Sequence, residues 1–323
     1  MAYTHTEKGM LRCDLCPHRC FIAEDKSGIC GVRLNRGGEL ALPLYGVLSA
    51  VSTDPIEKKP LYHFYPGSTI FSVGFYGCSF RCPFCQNYRI AHHVPDGGRE
   101  VTPRELVRHA AEEGASSIAY TYSEPLVHFE WVRDAAEEAR KLGMKNVLVS
   151  NGFINPEPAA ELLELLDAAN IDLKAYNQQF YRKVAGGSLQ PVLDFISAAA
   201  PKIHLEVTTL VIPGDTDSDE EILGIAEFLA ERDPTIPYHL SCYFPAYKYN
   251  APPTDPQTVF DLAEKARRHL HYVYPGNVGL AETTTECHKC GSVLIRRRGF
   301  RVSFPGIKDG ACSSCGTPVP FPV

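Results

Sequence analysis

The sequence predicts an α/β fold: a partial barrel of parallel strands, of the TIM-like (β/α)6 type, with a small cysteine-rich metal module at each end. Between residues 69 and 280, strand-like and helix-like segments alternate with short connections, which is typical of a parallel sheet. The strand-like segments are continuous apolar runs, as expected where helices cover the sheet. We therefore expect an N-terminal module with a β segment over 1–66, a core barrel over 67–282 and a C-terminal module over 283–323.

The core barrel is predicted from strands and helices that alternate along the chain. The strands are expected at 69–76, 117–122, 146–151, 170–177, 202–213, 238–245 and 277–280. The helices are expected at 102–115, 126–143, 156–169, 189–200, 217–233 and 256–270. The first helix has clear start signals, because Thr102 is a typical N-cap, Pro103 fits the first turn and Glu105 follows three residues after the cap. Chemistry in such folds gathers at the carboxyl ends of the strands.

The composition is that of an ordinary globular protein. The chain has 323 residues, of which 44% are hydrophobic and 22% charged, and its net charge of −6 gives no global sign of binding to nucleic acid or membranes. No apolar run approaches the ~20 residues that span a bilayer, and the N-terminus MAYTHTEKGM lacks the apolar core of a signal peptide. We expect a cytoplasmic protein, whose twelve cysteines indicate metal or redox chemistry rather than disulfides.

The stretch GFYGCSFRCPFCQNY holds Cys78, Cys82 and Cys85, which we call the cysteine triplet, directly after the first predicted strand. Three thiolates that hold a [4Fe–4S] cluster leave one iron without a protein ligand. An open coordination position distinguishes catalytic metals from structural ones. Two alternatives stay open on spacing alone: a zinc site completed by His92 or His93, and an electron-transfer cluster with a distant fourth cysteine.

The spacing of the cysteine triplet, with Phe84 before its last cysteine, resembles the signature of radical S-adenosylmethionine (SAM) enzymes. In that superfamily the unique iron binds the amino and carboxylate groups of the methionine part of SAM. The resemblance implies that an electron from the cluster cleaves SAM to methionine and a 5′-deoxyadenosyl radical, which abstracts hydrogen from a substrate. The cofactors carry this chemistry, and the protein supplies placement and excludes water. A flavodoxin- or ferredoxin-like electron donor is implied as well.

Further motifs resemble the pyruvate formate-lyase activating-enzyme branch of that superfamily. YTYSEP (120–125) occupies the place of a Gly-Gly-Glu-Pro segment, with Tyr122 and Ser123 at the two glycines. The resemblance implies that the backbone of this segment and the carboxylate of Glu124 bind the ammonium group of SAM. The alternative interpretation of Glu124 is a carboxylate at a helix N-terminus, which the helix dipole favours.

Two more motifs of that branch lie at the ends of the next two predicted strands. SNG (150–152) resembles its Thr-Asn-Gly turn, and DLK (172–174) resembles its Asp-x-Lys strand end. The resemblance implies that Asn151, Asp172 and Lys174 contact the amino-acid part of SAM. Without it, Asn151 could belong to a plain turn, and Lys174 could be a surface lysine.

A closer resemblance covers nearly the whole chain. CDLCPHRCFIAEDKSGICGVRLNRGGEL (13–40), DPIEKKPLYHFYPGS and GCSFRCPFCQN resemble the radical SAM member of the AmmeMemoRadiSam system. That resemblance implies Memo-like and AMMECR-type partner proteins and names no substrate. Val149, Thr208 and Tyr247 depart from the activating-enzyme branch, where an acidic residue, an arginine and a histidine are expected.

Two groups of four cysteines flank the barrel. We call Cys13, Cys16, Cys20 and Cys30 the N-terminal cysteines, and Cys287, Cys290, Cys312 and Cys315 the C-terminal cysteines. The C-terminal cysteines form two CxxC pairs about twenty residues apart, which indicates a zinc ribbon. The N-terminal cysteines indicate a metal, because so short a segment has little core of its own. Zinc is the first choice for them, and a second iron–sulfur cluster is the alternative.

Three other features have two interpretations each. Tyr88, just after the cysteine triplet, could cover the adenine of SAM or pack against the fold. The basic LIRRRGFR (294–301) is predicted to be a solvated hairpin tip, with contact to RNA or another phosphate as the alternative. Cys242 is predicted to be a small buried hydrophobe, with a hydrogen-donating role near the barrel mouth as the alternative.

These observations support three hypotheses about function. The first is an enzyme that cleaves SAM reductively at the cysteine triplet and abstracts hydrogen from an unidentified substrate. The second is the activation of a partner protein by forming a glycyl radical in it. The third is a metal-stabilised scaffold or redox sensor without catalysis. The SAM motifs argue against this third hypothesis, because a scaffold needs no ligand for the ammonium group of methionine.

Overall fold

The computed structural model of the protein describes residues 3–7, 10–279 and 282–323. Its N-terminal part forms two small antiparallel sheets. The first contains β1 (Thr4–Glu7), β2 (Met10–Cys13) and β3 (Phe21–Ile22), and the second contains β4 (Leu34–Arg36) and β5 (Glu39–Ala41). The β4–β5 hairpin turns on Gly37 and Gly38, which both have the positive φ angles that such a two-residue turn requires. The N-terminal cysteines lie in and between these strands.

The centre of the fold is one eight-stranded sheet whose strand order follows the chain. Its strands are β6 (Ala50–Pro55), β7 (Thr69–Gly74), β8 (Ser117–Thr121), β9 (Lys145–Ser150), β10 (Ala168–Asp172), β11 (His204–Val211), β12 (Tyr238–Cys242) and β13 (Val273–Gly276). β6 runs antiparallel to β7, and all later neighbours are parallel. Within the described residues β13 and β6 do not pair, so the sheet stays open. This α/β architecture confirms the predicted fold class.

Helices connect the parallel strands. They are α1 (Tyr88–Ala91), α2 (Pro103–Glu112), α3 (Phe129–Lys141), α4 (Pro156–Leu163), α5 (Gln178–Phe180), α6 (Gln190–Ala199), α7 (Asp219–Ala230) and α8 (Pro256–Ala266). α2, α3, α4, α6, α7 and α8 each lie between two consecutive parallel strands, as the alternation predicts. Thr102 and Glu105 form the predicted capping box of α2. Among the helices of the described part of the chain, none is long and apolar enough to cross a membrane.

The predicted position of the last strand, 277–280, is wrong. The strand is β13, residues 277–279 follow it without strand structure, and Leu280 lies outside the described residues. Val273 and Tyr274 are 3% and 4% exposed and supply its apolar side chains. Pro275 disfavours a strand in the middle of a sheet, but β13 is an edge strand, where a missing N–H is tolerated.

The C-terminal part consists of two small antiparallel sheets. They contain β14 (Thr283–Glu286), β15 (Val293–Arg298) and β16 (Arg301–Ser303) in one, and β17 (Ile307–Lys308) and β18 (Ala311–Cys312) in the other. Arg297 docks this part onto the barrel: its guanidinium donates to Thr285 Oγ1 at 2.9 Å and to the carbonyl oxygen of Tyr62 at 2.5 Å. Arg297 is 2% exposed. The prediction of a solvated hairpin tip is therefore wrong for Arg297, because the fold turns this side chain onto Tyr62.

A fully buried carboxylate, Glu206 on β11, lies in the same region. It accepts hydrogen bonds from the backbone N–H groups of Tyr62 and His63 at 2.7 to 3.0 Å. The ring nitrogens of His204 and His239 lie 3.0 and 2.6 Å from its oxygens. Burial alone raises the pKa of Glu206, but the hydrogen bonds from the two histidines outweigh burial and hold the pKa well below its ordinary value. The hydrogen bonds of Glu206 therefore hold the segment that precedes β7 against β11, several strands away in the central sheet.

Candidate active site

The carboxyl ends of the parallel strands surround a cleft of about 560 Å³. This volume is in the range of sites for small molecules and cofactors. All the residues that the sequence predicts for the catalytic site line it: Cys78, Cys82, Phe84, Cys85, Tyr122, Ser123, Glu124, Asn151, Asp172 and Lys174. They come from four successive strand ends, which the parallel sheet places side by side.

The cysteine triplet lies in the loop after β7. The backbone N–H of Phe80 donates to Cys78 Sγ at 3.3 Å, and Asn151 Nδ2 lies 3.8 Å from the same sulfur. Burial raises the pKa of Cys82 to about 11, and the Lys174 ammonium partly offsets this effect. Without a metal, thiols with a raised pKa stay protonated at neutral pH. A bound metal deprotonates a coordinating thiol outright, so these thiols can still serve as metal ligands.

The geometry does not support a zinc site at the cysteine triplet. A tetrahedral zinc with Zn–S bonds of about 2.3 Å separates its ligand sulfurs by roughly 3.8 Å. Among the described residues, only the C-terminal cysteines form a group of three or more possible ligands whose atoms all lie within 4.8 Å of one another. His92 lines the cleft, whereas the ring of His93 lies against Tyr88. The triplet does not form such a compact group, which fits a cluster in which each cysteine binds a different iron.

Glu124 is a buried acceptor at the wall of the cleft. Its Oε1 accepts from Ser150 Oγ at 2.7 Å and from the backbone N–H of Leu126 at 3.0 Å, and its Oε2 accepts from the backbone N–H of Asn151 at 3.0 Å. The residue is 1% exposed, and burial raises the pKa of its carboxyl to about 7. A cationic group in the cleft would meet an acceptor that is already fixed in place.

Asn151 connects Glu124 to the cysteine triplet. Its backbone donates to Glu124, its side-chain Nδ2 donates to Ser79 Oγ at 3.0 Å, and its Oδ1 accepts from the backbone N–H of Phe153 at 2.9 Å. Gly152 has a φ of +67°, so a residue with a side chain would be strained in this turn. The turn after β9 therefore positions the carboxylate and the cysteine loop together.

Tyr122 and Ser123 adopt a glycine-like backbone. Their φ angles are 47° and 65°, in the left-handed region that costs a non-glycine residue about 1–3 kcal/mol. Side-chain contacts offset this cost: Tyr122 Oη donates to the Asp54 carboxylate at 3.1 Å, and Ser123 Oγ donates to the Gly77 carbonyl. The segment therefore has a backbone that glycine would adopt without strain.

Asp172 and Lys174 form an ion pair at the end of β10. The Lys174 Nζ lies 2.7 Å from Asp172 Oδ2, and the two side chains are 18% and 41% exposed. Burial lowers the pKa of Lys174, but the negative charge of Asp172 outweighs burial and raises it. Lys174 therefore faces the cleft as a positive charge, which can meet the carboxylate of a ligand.

The structure assigns a place to Tyr88 and Cys242. The Tyr88 ring stacks on Tyr247, with the ring centres 4.6 Å apart and 11° between the planes. Cys242 is fully buried and alternates along β12 with Ser241, which lines the cleft. The thiol of Cys242 therefore lies on the face of the strand opposite to the cleft, in agreement with a small buried hydrophobe.

His239 and Phe300 are among the residues of the cleft that are not foreseen from the sequence. His239 comes from β12, where it also contacts Glu206, and Phe300 comes from the β15–β16 hairpin and is 58% exposed. No periodicity or spacing connects that hairpin to the barrel. The only available signal is an aromatic residue within a basic segment.

The C-terminal cysteines are gathered into one compact group. Cys287 Sγ lies 3.7 Å from Cys315 Sγ, and Cys290 Sγ lies 3.7 Å from Cys312 Sγ. These separations match the roughly 3.8 Å between ligands of a tetrahedral zinc. Hydrogen bonding to Thr317 lowers the pKa of Cys315 to about 6, which favours the thiolate that a metal needs. The group can hold one metal ion.

Similarity to known proteins agrees with this geometry. Residues 72–229 match the family model of the Radical SAM superfamily. The chain is 38% identical to the protein MJ0808 of Methanocaldococcus jannaschii over 325 residues, which cover 98% of this chain and 97% of that protein. It is 30% identical to the pyruvate formate-lyase 1-activating enzyme of Escherichia coli over 183 residues, which cover 52% of this chain and 74% of that enzyme.

A solved structure supports the fold. Streptococcus suis SuiB bound to S-adenosylmethionine has a TM-score of 0.51 at 15% identity, over 68% of this chain and 52% of that chain. Together with the sequence relatives, these findings show that the chain belongs to the radical SAM superfamily of enzymes.

Proposed function

We propose that this protein holds a [4Fe–4S] cluster through the cysteine triplet and cleaves SAM to methionine and a 5′-deoxyadenosyl radical, which abstracts hydrogen from a substrate. The observation that carries the proposal is the shared cleft, in which three thiols, a buried carboxylate acceptor and the ion pair of Asp172 and Lys174 face one cavity. When bound, the cluster supplies the electron for cleavage. The donor set fits it, because the cleft offers three thiols and, among the described residues, no fourth cysteine lines it.

The protein's own residues bind and orient SAM in this proposal. Glu124 accepts from the ammonium group, and Lys174 meets the carboxylate of the methionine part. Asn151 positions both Glu124 and the cysteine loop through its backbone and side-chain hydrogen bonds. Phe84 is 5% exposed and packs beside Phe180, with ring centres 6.0 Å apart, so it helps to exclude water from the cysteine triplet.

Protein that is reconstituted anaerobically with iron and sulfide should convert SAM to methionine and 5′-deoxyadenosine when dithionite is added. Chromatography of the products measures this reaction, and the same protein without dithionite should give none. Reconstituted protein that shows the absorbance of an intact cluster and still forms no product with any reductant would refute the proposal. The scaffold hypothesis would then be favoured.

Glu124→Gln should weaken SAM binding roughly ten- to a hundredfold, because a hydrogen bond between charged groups contributes ~1.5–3 kcal/mol. The wild-type affinity should also fall as the pH drops through about 7, where the carboxyl takes up a proton and loses its charge. The affinity of the variant should lack this component of the pH dependence. Calorimetric titration of reconstituted protein below and above neutral pH measures both effects.

Glu137→Gln is the matched control, because Glu137 is exposed on α3 and does not line the cleft. Its SAM affinity should equal that of the wild type at every pH. An unchanged affinity in Glu124→Gln would show that the ammonium group of SAM binds elsewhere.

A second candidate function is the activation of a partner protein by forming a glycyl radical in it. The identity of 30% with an enzyme named as the activator of pyruvate formate-lyase 1 favours it. The resemblance to the AmmeMemoRadiSam system adds Memo-like and AMMECR-type proteins as candidate partners. Freezing the reconstituted enzyme with SAM, reductant and a candidate partner tests this function, since a glycyl radical in the partner has its own EPR signal.

The remaining proposals concern the organisation of the chain. We propose that 1–66, whose strand β6 joins the central sheet, and 283–323 are small metal-stabilised modules on a core barrel over 67–282, and that the C-terminal cysteines bind zinc as a ribbon. A flavodoxin- or ferredoxin-like protein is the proposed electron donor, and a cytoplasmic location stays a prediction. Contact with RNA stays an alternative for the hairpin that carries Phe300.

A further inference from the structure

The N-terminal cysteines all face one common cavity, although they come from different turns. Cys13 ends β2, and its backbone N–H donates to the carbonyl oxygen of Cys20 at 2.9 Å. The backbone N–H of Ile29 donates to Cys20 Sγ at 3.5 Å. The rest of the lining is mostly apolar, with Ile22 and Phe153 among it, and also contains His18 and Arg33. Four sulfurs inside this mostly apolar enclosure form a built site rather than a chance grouping of surface thiols.

The spacing of these sulfurs differs from that of a zinc site. The C-terminal cysteines in the same protein show the compact arrangement, with all four sulfurs within 4.8 Å of one another. In the described part of the chain, the N-terminal cysteines contain no group of three that meets this limit. The cysteine triplet does not meet it either. The N-terminal cysteines are therefore not gathered as compactly as the C-terminal cysteines, which fits a multi-iron cluster, in which each cysteine binds a different iron, better than a single zinc ion.

A buried arginine faces the same cavity. Arg33 is 2% exposed, and its two terminal nitrogens pair with the Glu130 carboxylate at 2.7 and 2.8 Å. Its Nε is buried and has no hydrogen-bond partner. A buried N–H without an acceptor is costly, so it indicates a missing acceptor in the cavity. The sulfur atoms of a metal centre bound in the cavity would supply that acceptor.

The N-terminal cysteines lie next to the cysteine triplet. Gly77 directly precedes the first cysteine of the triplet, and a Cβ on Gly77 would lie 2.5 Å from the carbonyl oxygen of Cys30. The His18 ring donates from Nε2 to the carbonyl oxygen of Ser79 at 2.8 Å, inside the loop of the triplet. The guanidinium of Arg81 bridges the two loops, because it donates to the carbonyl oxygen of Cys78 in one and to that of Ile29 in the other. The loops that carry the two cysteine groups are thus in direct contact.

We propose that the N-terminal cysteines hold a second [4Fe–4S] cluster, with a cysteine on every iron, that passes electrons to the cluster at the cysteine triplet. This cluster takes the place of the zinc that the sequence favours for this site. One electron from a reduced ferredoxin- or flavodoxin-class donor converts it from the 2+ to the 1+ state. The electron then moves to the cluster at the triplet, and the second cluster returns to the 2+ state. The relay step rests on the proposed function, whereas the metal assignment does not.

The test uses a full-length variant in which all three cysteines of the triplet are replaced by alanine. After anaerobic reconstitution it should retain about four irons and four sulfides per chain, against about eight of each in the wild type. Dithionite should give this variant the EPR signal of a reduced [4Fe–4S] cluster. In the doubly reduced wild type, the two signals should broaden each other, because the cysteine loops touch. Cys287→Ala with Cys290→Ala is the control, and it should lose zinc and no iron.

A triplet variant that binds no iron would overturn the proposal, whether or not its zinc content rises. A wild-type EPR spectrum equal to the sum of two independent clusters would overturn the relay. Either failure is distinguishable from failure of the proposed function. Wild-type protein with about four irons that still forms 5′-deoxyadenosine would keep the function and reject the second cluster.

Discussion

Cys82→Ala is expected to abolish the formation of 5′-deoxyadenosine from SAM. Cys82 is 7% exposed at the wall of the cleft and is one of the three thiols that the described residues offer to a cluster there. Alanine has no donor atom, so two cysteines would have to hold four irons, and the cluster at the triplet is lost. The product should fall below detection, and iron should fall by about four per chain. Product chromatography and iron analysis on the same reconstituted sample measure the two losses together.

Cys242→Ala is the matched control for this variant. Cys242 is also a buried cysteine, but it lies on the face of β12 turned away from the cleft. Its replacement should leave the iron content and the yield of 5′-deoxyadenosine at the wild-type level. A Cys82→Ala protein that keeps all its iron and its activity would show that the cluster is held elsewhere.

The sequence could predict the barrel and the composition of the cleft because both depend on local patterns. The apolar strand runs and the capping signals at Thr102 and Glu105 identify the repeated units without knowledge of distant contacts. Once the strands are parallel, their carboxyl ends must meet at one edge of the sheet. This rule alone brings Glu124, Asn151 and Asp172 into the cleft with the cysteine triplet.

The features that could not be predicted depend on tertiary contacts. Arg297 looks like a solvated residue of a basic hairpin, and only the docking of that hairpin on Tyr62 buries it. Phe300 reaches the cleft for the same reason. The position of β13 depends on its place at the sheet edge, where Pro275 is tolerated. The cysteine spacing of the N-terminal segment gives ligand number but not sulfur separation, so the metal could not be chosen from the sequence.

The backbone at Tyr122 and Ser123 is another feature beyond the reach of the sequence. Substitution of two glycines by a tyrosine and a serine suggests a change in the shape of the segment. The structure instead keeps positive φ angles at both positions, because the Asp54 carboxylate and the Gly77 carbonyl hold the two side chains. Residues with side chains can therefore hold a glycine-like backbone when nearby acceptors compensate for the strain.

Glu206→Ala is expected to lower the free energy of unfolding by about 3–5 kcal/mol, the largest effect on stability that the structure predicts. The carboxylate is 0% exposed and accepts hydrogen bonds from two backbone N–H groups and from the rings of His204 and His239. Alanine would leave these four donors without this acceptor, and each buried group that stays unsatisfied costs about 1–3 kcal/mol before the structure relaxes. Urea unfolding followed by far-UV circular dichroism measures the change.

The same carboxylate explains why this loss should reach the whole barrel rather than one strand. Glu206 lies on β11 and binds the backbone of the segment at Tyr62, and Tyr62 in turn accepts from Arg297 of the C-terminal part. Removal of Glu206 therefore weakens the contacts among three parts of the chain. The barrel and the C-terminal hairpin should still unfold in a single transition, whose midpoint moves to a lower urea concentration. Glu137→Ala, an exposed change on α3, should stay within about 0.5 kcal/mol of the wild type. Equal stability of the two variants would mean that Glu206 is not the link between these parts.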